Sequence, residues 1–426
     1  MSGERHDAVV IGAGVGGLVA AARLAEAGRR PLLLESSDRL GGRFSTIERD
    51  GYRLPTGAVA IETAGPFWET FGELGIDPEL RIPDPPVMIH VRGKDLAPGA
   101  AVWQYMMKRV TKAAGAVAEG VSKGRSEGGE EGVTLEQWTR RYTRSKTVLS
   151  LFQSLSASIF TVNADELPAG VFFRLLRETG GYKRFGYAPE GNVVLAERIG
   201  AAIEQRGGTI LRGQRASAIE LAGGEAVAVR AVGGDGEETR FEAGAVVSGI
   251  GPLNTAALLA GTEAEAAFAE RVAGVRKTSL LALAFSSEEE LVPHPGIWAF
   301  TDTRRLCNLA NLAATCPELA PPGRTLYEAY SCPRPSVGGN FDEAEERRLL
   351  EEDLRELIPG YARAEVVLFK AMRGDVPAGQ CQPGSDPPVR TSVPNLVEVG
   401  DGVKPYGWIG TTACAQTGRL AVEALL

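Results

Sequence analysis

The most distinctive chemical pattern in the chain is a cluster of glycines near its N-terminus. Gly12, Gly14, Gly16 and Gly17 follow directly after an apolar run at residues 8–11. Gly12 permits a tight turn, Gly14 lets the backbone approach a pyrophosphate without a Cβ in the way, and Gly17 lets a helix pack closely on a sheet. The unpaired N–H groups of a helix that starts at such a turn favour a phosphate.

The elements predicted around these glycines are those that the pattern requires. The apolar run at residues 8–11 predicts a parallel strand buried on both faces, and residues 18–27 predict a helix rich in Ala and Leu. A second strand is predicted at residues 31–34, and it ends in Glu35. A carboxylate there accepts both hydroxyls of an adenosine ribose and repels a 2′-phosphate. Dinucleotide binding is therefore favoured over an ordinary strand-to-helix turn, with NAD and FAD both open.

The segment after Glu35 separates these two cofactors. Residues 36–43 (SSDRLGGR) resemble the second fingerprint of the amine oxidase and phytoene desaturase superfamily of FAD enzymes. The resemblance implies that Gly41 and Gly42 run beside the FAD pyrophosphate and that Arg43 lies near phosphate and flavin. A guanidinium is a good planar partner for a phosphate, which makes the assignment chemically sensible. The alternative is a surface turn after a strand.

The C-terminus resembles the same superfamily. Residues 395–401 predict a short strand that ends in Gly-Asp, and residues 410–426 predict the closing helix. The resemblance implies that Asp401 hydrogen-bonds the ribityl chain and that the helix directs its N-terminus toward the pyrimidine edge of the flavin. A helix dipole would favour the anionic reduced flavin there. The backbone groups expected at that edge belong to Gly410, Thr411 and Thr412. For Asp401 taken alone, a helix cap is an equal alternative.

A third match lies in the middle of the chain. Residues 187–220 include a predicted helix at 193–206, which is followed by residues 207–211 (GGTIL) and 215–220. They resemble the family segment that returns to the FAD domain and lays a strand beside the adenine, and the backbone of Ala216 takes the position that contacts the base. Residues 245–252, which contain Gly251, resemble the strand that enters the core next to the cofactor.

These matches predict an α/β fold with two domains. A Rossmann-like FAD-binding domain is assembled from residues 1–85, 186–255 and 378–426. A second, α+β domain binds the substrate and consists of residues 86–185 and 256–377. No internal repeat is visible in the sequence.

The second domain combines predicted helices with predicted strands. Helical patterns cover residues 105–117, 135–152, 168–177 and 342–357. Strands are predicted at residues 279–285, 296–301, 325–331 and 365–370. A polar, glycine-rich loop is predicted at residues 122–132.

Several aromatic residues are candidates for the substrate pocket. Five of them line either a lipophilic pocket or the core, and such residues lie more often in the core. These five are Phe152, Phe160, Phe172, Phe173 and Trp298. Tyr406 and Trp408 precede the flavin-facing helix, where amine oxidases have an aromatic residue that flanks the substrate. Loop packing is the alternative for these two.

No catalytic residue is assigned from the sequence, because the hydride acceptor in such enzymes is the flavin N5 atom. Many amine oxidases carry a lysine near this atom. Here Leu280 takes that place, and the nearest lysine is Lys277. Cys381 lies near the returning segment, but its surroundings do not resemble the covalent flavin-attachment motif. The FAD is therefore expected to bind noncovalently.

We expect an FAD-dependent oxidoreductase that removes hydride from, desaturates or isomerises an apolar substrate of isoprenoid or carotenoid type. A flavin amine or amino acid oxidase and a protoporphyrinogen oxidase-like enzyme are the enzymatic alternatives. A flavoprotein that binds FAD structurally or senses redox state is the alternative without catalysis.

Composition limits the other possibilities. The 426 residues carry a formal net charge of -8, which gives no footprint for nucleic acid. Three histidines, none close to another in the sequence, provide little material for a metal site. No apolar run is long enough for a membrane span, so a cytoplasmic protein is expected, with peripheral membrane contact left open. The oligomeric state is open.

Overall fold

The computed structural model describes residues 5–97, 132–179 and 184–426. The helical pattern at residues 105–117 lies outside these residues. The predicted polar loop at residues 122–132 also lies outside them, except for Gly132.

The described residues form short strands and helices that alternate along most of the chain. The strands are β1 (Arg5–His6), β2 (Ala8–Ile11), β3 (Pro31–Leu34), β4 (Thr46–Arg49), β5 (Tyr52–Pro55), β6 (Ile61–Glu62), β7 (Val87–Val91), β8 (Lys94–Leu96), β9 (Phe185–Gly186), β10 (Thr209–Leu211), β11 (Arg215–Ala222), β12 (Glu225–Val232), β13 (Glu238–Ala243), β14 (Val246–Ser248), β15 (Leu280–Ser286), β16 (Ile297–Phe300), β17 (Leu306–Asn311), β18 (Tyr327–Ser331), β19 (Glu365–Met372) and β20 (Leu396–Glu398). The helices are α1 (Val15–Glu26), α2 (Pro66–Leu74), α3 (Leu135–Tyr142), α4 (Lys146–Phe160), α5 (Ala169–Thr179), α6 (Asn192–Gln205), α7 (Pro252–Leu258), α8 (Glu265–Val272), α9 (Leu312–Thr315), α10 (Glu343–Leu357) and α11 (Gly410–Leu425).

The chain divides into two compact units, each built from separated segments. Unit 1 consists of Met1–Leu80, Gly186–Arg276 and Gln380–Leu426. Unit 2 consists of Arg81–Phe185 and Lys277–Gly379. The predicted functional domains, with boundaries at residues 85, 186, 255 and 378, stay a prediction.

Unit 1 is organised around a parallel sheet of five strands in the order β10-β3-β2-β14-β20. The register is continuous at its centre, where Val10 lies opposite Leu33 on one side and Val247 on the other. Every residue of β2 and β3 is buried, as expected for parallel strands covered on both faces. The predicted strands at residues 8–11 and 31–34 therefore have the bounds of the observed ones.

Each face of the parallel sheet has its own apolar core. One core packs α1, α2, α6 and α11 against the sheet through side chains such as Leu18, Phe67 and Ile199. On the other face, Val229 and Phe241 belong to a core shared with the four-stranded sheet β1-β13-β12-β11. Helices therefore cover one face of this sheet, and a second sheet covers the other.

Unit 2 contains a sheet of seven strands in the order β19-β15-β18-β17-β16-β7-β8. Its β15 is buried along its whole length. Phe285 and Tyr327 stack with ring centroids 4.9 Å apart, and α10 adds Leu350 and Leu354 to the same core. The combination of sheet and helices agrees with the α+β composition expected for this part of the chain.

The structure tests two expectations for unit 2, one about a long helix and one about the aromatic candidates. The helical pattern at residues 135–152 is wrong as a single element, because the chain leaves the helix at Thr143, which is extended and accepts a hydrogen bond from the Ser145 amide at 3.1 Å. The aromatic candidates pack on one another as core; Phe172, for example, lies 5.7 Å from Phe152 and 5.5 Å from Phe173 between ring centroids. Trp298 is also buried, and its Nε1 donates to Asp95.

None of the helices within residues 5–97, 132–179 and 184–426 is both long and apolar enough to cross a bilayer. The longest, α11, has 16 residues and includes Arg419 and Glu423. Its apolar residues are used in the core of unit 1 instead.

His294 gives the stability of unit 2 a dependence on pH. The imidazole is buried beside Trp298, and neither ring nitrogen has a hydrogen-bond partner among the described residues. Burial lowers the pKa of His294, although Asp95 raises it in part. A histidine whose pKa is lowered on folding contributes stability above its unfolded pKa of about 6.5 and loses that contribution as the pH falls.

We therefore expect His294→Leu to reduce the pH dependence of the unfolding free energy. Urea unfolding at pH 7.5 and pH 5.5 measures this, and the difference between the two pH values should be smaller in the variant than in the wild type. An unchanged difference would show that His294 does not titrate with folding.

Candidate functional site

The residues singled out from the sequence follow the carboxyl ends of neighbouring parallel strands. The glycine turn at residues 12–17 follows β2, Glu35 follows β3, Gly251 follows β14 and Asp401 follows β20. Because these strands are parallel, their carboxyl ends meet at one edge of the sheet. In open α/β folds, ligands bind at the carboxyl ends of the strands.

The glycines of the first turn have two different roles. A Cβ on Gly17 would lie 2.0 Å from the Gly12 carbonyl oxygen, and a Cβ on Gly16 would lie 2.6 Å from the Gly400 nitrogen. These positions need glycine for packing. A Cβ on Gly14 would meet no protein atom within 4 Å, so this position opens onto free space at the N-terminus of α1.

Glu35 is fixed by hydrogen bonds on both carboxylate oxygens. Its Oε2 accepts from the Ala13 amide at 2.8 Å, and its Oε1 accepts from the amide and the hydroxyl of Ser37, each at 2.8 Å. The residue is 8% exposed. The carboxylate therefore ties the end of β3 to the glycine turn, a contact that sequence reasoning did not anticipate. The pair of serines after Glu35 was the sequence signal for the hydrogen bonds on Oε1.

The second glycine turn lies against the first. The Gly41 amide donates to the Ala13 carbonyl at 2.8 Å, and Gly41 forms a parallel bridge with Gly14. Gly41 and Gly42 both have positive φ, +98° and +57°, and a Cβ on Gly42 would lie 3.7 Å from the Gly14 Cα. The two turns thus form one continuous backbone surface beside the open space at Gly14.

Arg43 and Asp401 lie far apart in the sequence and form a two-pronged ion pair. Nη1 of Arg43 donates to Oδ2 of Asp401 at 2.9 Å, and Nη2 donates to Oδ1 at 2.5 Å. The Gln380 amide donates to the same carboxylate at 2.9 Å. Burial alone would raise the pKa of Asp401, but Arg43 and the other donors lower it to about 2. Asp401 is therefore ionised throughout the physiological range, and it is not a helix cap.

The closing helix α11 begins with an N-terminus that no side chain caps. Its first turn contains no acidic residue, and Ile409 precedes it. Gly410 is exposed, Thr411 is half-buried and Thr412 is buried. Burial raises the pKa of Glu62, and the nearby Thr412 hydroxyl offsets this in part. The free N–H groups and the positive end of the dipole make this terminus favourable for an anion.

Two further residues predicted to contact the cofactor, Ala216 and Gly251, also belong to unit 1. The Gln214 amide donates to the Glu35 carbonyl at 2.8 Å, so the chain that leads to Ala216 runs beside Glu35. Gly251 has a φ of +92° and precedes α7. A Cβ there would lie 2.7 Å from Oε1 of Gln380, so any other residue would displace that side chain as well as adopt a positive φ.

Two aromatic residues and one cysteine belong to the loops before α11. Tyr406 is 40% exposed, whereas Trp408 is half-buried and its amide donates to the Pro405 carbonyl at 3.0 Å. Cys381 is buried, and burial raises the pKa of its thiol to about 12. At neutral pH this thiol is therefore protonated.

In unit 2, the place of the amine oxidase lysine is apolar. Leu280 is the first residue of β15 and is buried. Lys277 is half-buried, and its Nζ donates to the Gly374 carbonyl at 3.1 Å.

The edge of the parallel sheet fits a dinucleotide. Gly14 provides space beside the N–H groups of a helix N-terminus, and Glu35 provides a carboxylate at the end of the adjacent strand. A pyrophosphate needs the first of these features and a ribose needs the second. The described residues contain no group of three or more His, Cys, Asp or Glu side chains arranged for a metal ion.

Comparison with known proteins agrees with this geometry. The family model of flavin containing amine oxidoreductases matches residues 15–426. A phytoene desaturase of Cercospora nicotianae is 44% identical over 92 residues, which are 20% of this chain and 15% of that protein. A 15-cis-phytoene desaturase of Narcissus pseudonarcissus is 26% identical over 398 residues, which are 86% of this chain and 68% of that protein.

Among solved structures, an oxidoreductase from Methanosarcina mazei is similar over nearly the whole chain. The two share 26% sequence identity with a TM-score of 0.82, and the match covers 98% of this chain and 99% of that one. The match to the family model covers most of the sequence. The chain therefore belongs to the flavin containing amine oxidoreductase family.

Proposed function

We propose that the pyrophosphate of FAD lies at the N-terminus of α1, in the open space beside Gly14. The supporting observation is that Gly14 leaves room, whereas Gly12, Gly16 and Gly17 are enclosed by protein atoms. Backbone N–H groups and the helix dipole there favour the two phosphates. Gly41 and Gly42 border the same space with a backbone that carries no side chain.

The adenosine half of FAD is assigned to the end of β3. Glu35 would accept hydrogen bonds from the ribose hydroxyls, and its existing bonds to Ala13 and Ser37 hold the carboxylate in place for them. Oε2 accepts only the bond from Ala13, so this oxygen has a second lone pair for a ribose hydroxyl. The backbone of Ala216 would contact the adenine.

The flavin half is assigned to the ends of β14 and β20. Asp401 would accept from the ribityl hydroxyls, while its pair with Arg43 keeps it ionised and fixes its orientation. Arg43 would lie near the phosphates, for which a guanidinium is a good planar partner. Gly251 keeps the chain after β14 close to Gln380. The first turn of α11, formed by Gly410, Thr411 and Thr412, would face the pyrimidine edge of the flavin.

The FAD is held without a covalent bond in this proposal. Attachment through Cys381 would need an accessible thiolate, since the thiolate is the reactive form. Burial and a pKa near 12 oppose its formation.

The reaction that we propose is removal of hydride from an apolar substrate of isoprenoid or carotenoid type. When bound, FAD supplies the hydride acceptor. The observation that carries the proposal is the buried Leu280 at the start of β15, where many amine oxidases have a lysine. An apolar side chain at this place suits a hydrocarbon and provides neither charge nor proton transfer. Tyr406 and Trp408 are proposed to border the substrate.

The relatives support an apolar substrate. Two of them, including one aligned over 398 residues, are phytoene desaturases. The binding partner expected for this chain is accordingly a small apolar molecule. An amine substrate remains the alternative that the family description suggests.

Gly14→Val tests the assignment of the pyrophosphate. Because a Cβ at Gly14 meets no protein atom and the backbone there is extended, the variant should lose no more than about 1 kcal/mol of unfolding free energy without FAD. Its dissociation constant for FAD should rise roughly a hundredfold, equivalent to about 2.8 kcal/mol. Fluorescence titration with FAD and chemical unfolding of the apoprotein measure both quantities.

Two further glycine variants serve as controls. Gly72→Ala lies on α2 with open space around the new Cβ, so it should leave FAD affinity unchanged. Gly17→Ala places a Cβ 2.0 Å from a carbonyl oxygen and should destabilise the apoprotein by roughly 1–3 kcal/mol. Wild-type FAD affinity in Gly14→Val would refute the assignment.

Anaerobic flavin bleaching tests the substrate class. Purified protein loaded with FAD is mixed without oxygen with a linear polyene, a porphyrinogen or a primary amine, and absorbance near 450 nm is followed. We expect the polyene alone to bleach the flavin. Bleaching by the amine alone would replace the proposed reaction with amine oxidation, and bleaching by none of the three would contradict the proposed substrate.

A further inference from the structure

A buried lysine, Lys404, lies next to Asp401 and forms an ion pair with the carboxylate of Asp386. The Lys404 side chain is 6% exposed and that of Asp386 is 4% exposed, and Nζ of Lys404 donates to Oδ1 of Asp386 at 2.7 Å. The same Nζ donates to the Asp401 carbonyl at 2.7 Å and to the Cys381 carbonyl at 3.3 Å. All three hydrogens of the ammonium group are therefore used.

This arrangement connects two separate segments of unit 1. Residues 380–386 provide the Gln380 amide, the Cys381 carbonyl and the Asp386 carboxylate, while residues 401–404 provide Asp401 and Lys404. The main chain of Asp401 is held by Lys404, and its side chain is held by Arg43 and Gln380. The carbonyl and the carboxylate of Asp401 are thus both restrained by this set of bonds.

The position of each buried charge in this pair depends on the other. When one charge is removed, the remaining one is desolvated without its partner and is drawn toward the next opposite charge. A protonated Asp386 would leave the Lys404 ammonium with Asp401 as the nearest remaining carboxylate. Lys404 would then compete with Arg43 for Asp401 and shift the loop that carries it.

We propose that Lys404 and Asp386 are a positioning pair for Asp401, and that protonation of Asp386 weakens the binding of FAD. The inference rests on the proposed contact between Asp401 and the ribityl chain. It adds to that contact a dependence of cofactor affinity on pH, with Asp386 as the group that titrates.

Among the charged and titratable groups of this cluster, Asp386 is the one that changes its charge between pH 5 and pH 7.5. Burial raises the pKa of Asp386 to about 6, although Lys404 lowers it in part. The pKa of Asp401 is about 2, and burial raises the pKa of the thiols of Cys381 and Cys414 to about 12. The ion pairs with Asp401 and Asp386 raise the pKa values of the two cations that face the cluster, Arg43 and Lys404, against the effect of burial.

Protonation of Asp386 is expected to change FAD affinity and folding stability in opposite directions. The pKa of Asp386 is higher in the folded protein than the value of about 3.9 for an unfolded aspartate. Its contribution to stability is therefore fully present at low pH and is lost as the pH rises through 6. Between pH 7.5 and pH 5, protonation of Asp386 favours the folded apoprotein while it weakens cofactor binding.

The experiment is a titration of the apoprotein with FAD at several pH values between 7.5 and 5. For the wild type we expect the dissociation constant to rise roughly tenfold across this range, with the midpoint of the change near pH 6. Asp386→Asn should have a weakened affinity at pH 7.5 that stays constant down to pH 5. The absorbance spectrum of the bound flavin, recorded at saturation, reports whether its environment changes in the same way.

Controls separate the pair from general effects of charge. Asp50→Asn removes a carboxylate from an exposed turn at a φ of +50°, which asparagine accepts, and it should retain the wild-type profile. Lys404→Met removes the other partner and should lower FAD affinity and flatten the profile, which keeps the test available should Asp386→Asn fail to fold. A flat wild-type profile, or a wild-type slope in Asp386→Asn, would overturn the proposal. Absence of FAD binding at every pH in the wild type would instead refute the FAD site itself.

Discussion

The contact between Gly17 and the carbonyl of Gly12 is the constraint on which the site depends. A Cβ at Gly17 would lie 2.0 Å from that oxygen, so α1 approaches the sheet this closely only because the position has no side chain. The same approach brings the first turn of α1 to the end of β2, where the first N–H groups of the helix have no partner within the helix. Gly14 then provides space at the point where those groups are free. The cofactor site is thus a consequence of helix packing.

Charge at the same edge of the sheet is arranged in pairs. Arg43 is matched by Asp401, and Lys404 is matched by Asp386, so the cluster is neutral near pH 7. Removing ions from water is costly unless each has a partner, and these pairs satisfy that condition. Pairing also limits what each group can do: Arg43 is oriented by Asp401 and is not a free cation awaiting a phosphate. The residues that we propose as cofactor contacts therefore also hold one another.

Much of the fold followed from local patterns, because buried parallel strands are continuous apolar runs and a glycine turn fixes what surrounds it. The strands at residues 8–11 and 31–34 and the closing helix at 410–426 were predictable for this reason. The FAD chemistry followed from the resemblance of residues 36–43 to a known family. The break between α3 and α4 was not predictable, since it depends on a local hydrogen bond of Thr143. Nor was the partner of Lys404, because Asp386 lies 18 residues away and no periodicity relates them.

A crystal structure of the protein with FAD bound tests the central claim most directly. We predict that the pyrophosphate lies beside Gly14, within hydrogen-bond distance of the amide groups at the start of α1. The adenosine ribose should contact Glu35, and the ribityl chain should contact Asp401. A dinucleotide bound away from the carboxyl ends of β2 and β3, or one whose ribose does not contact Glu35, would contradict it.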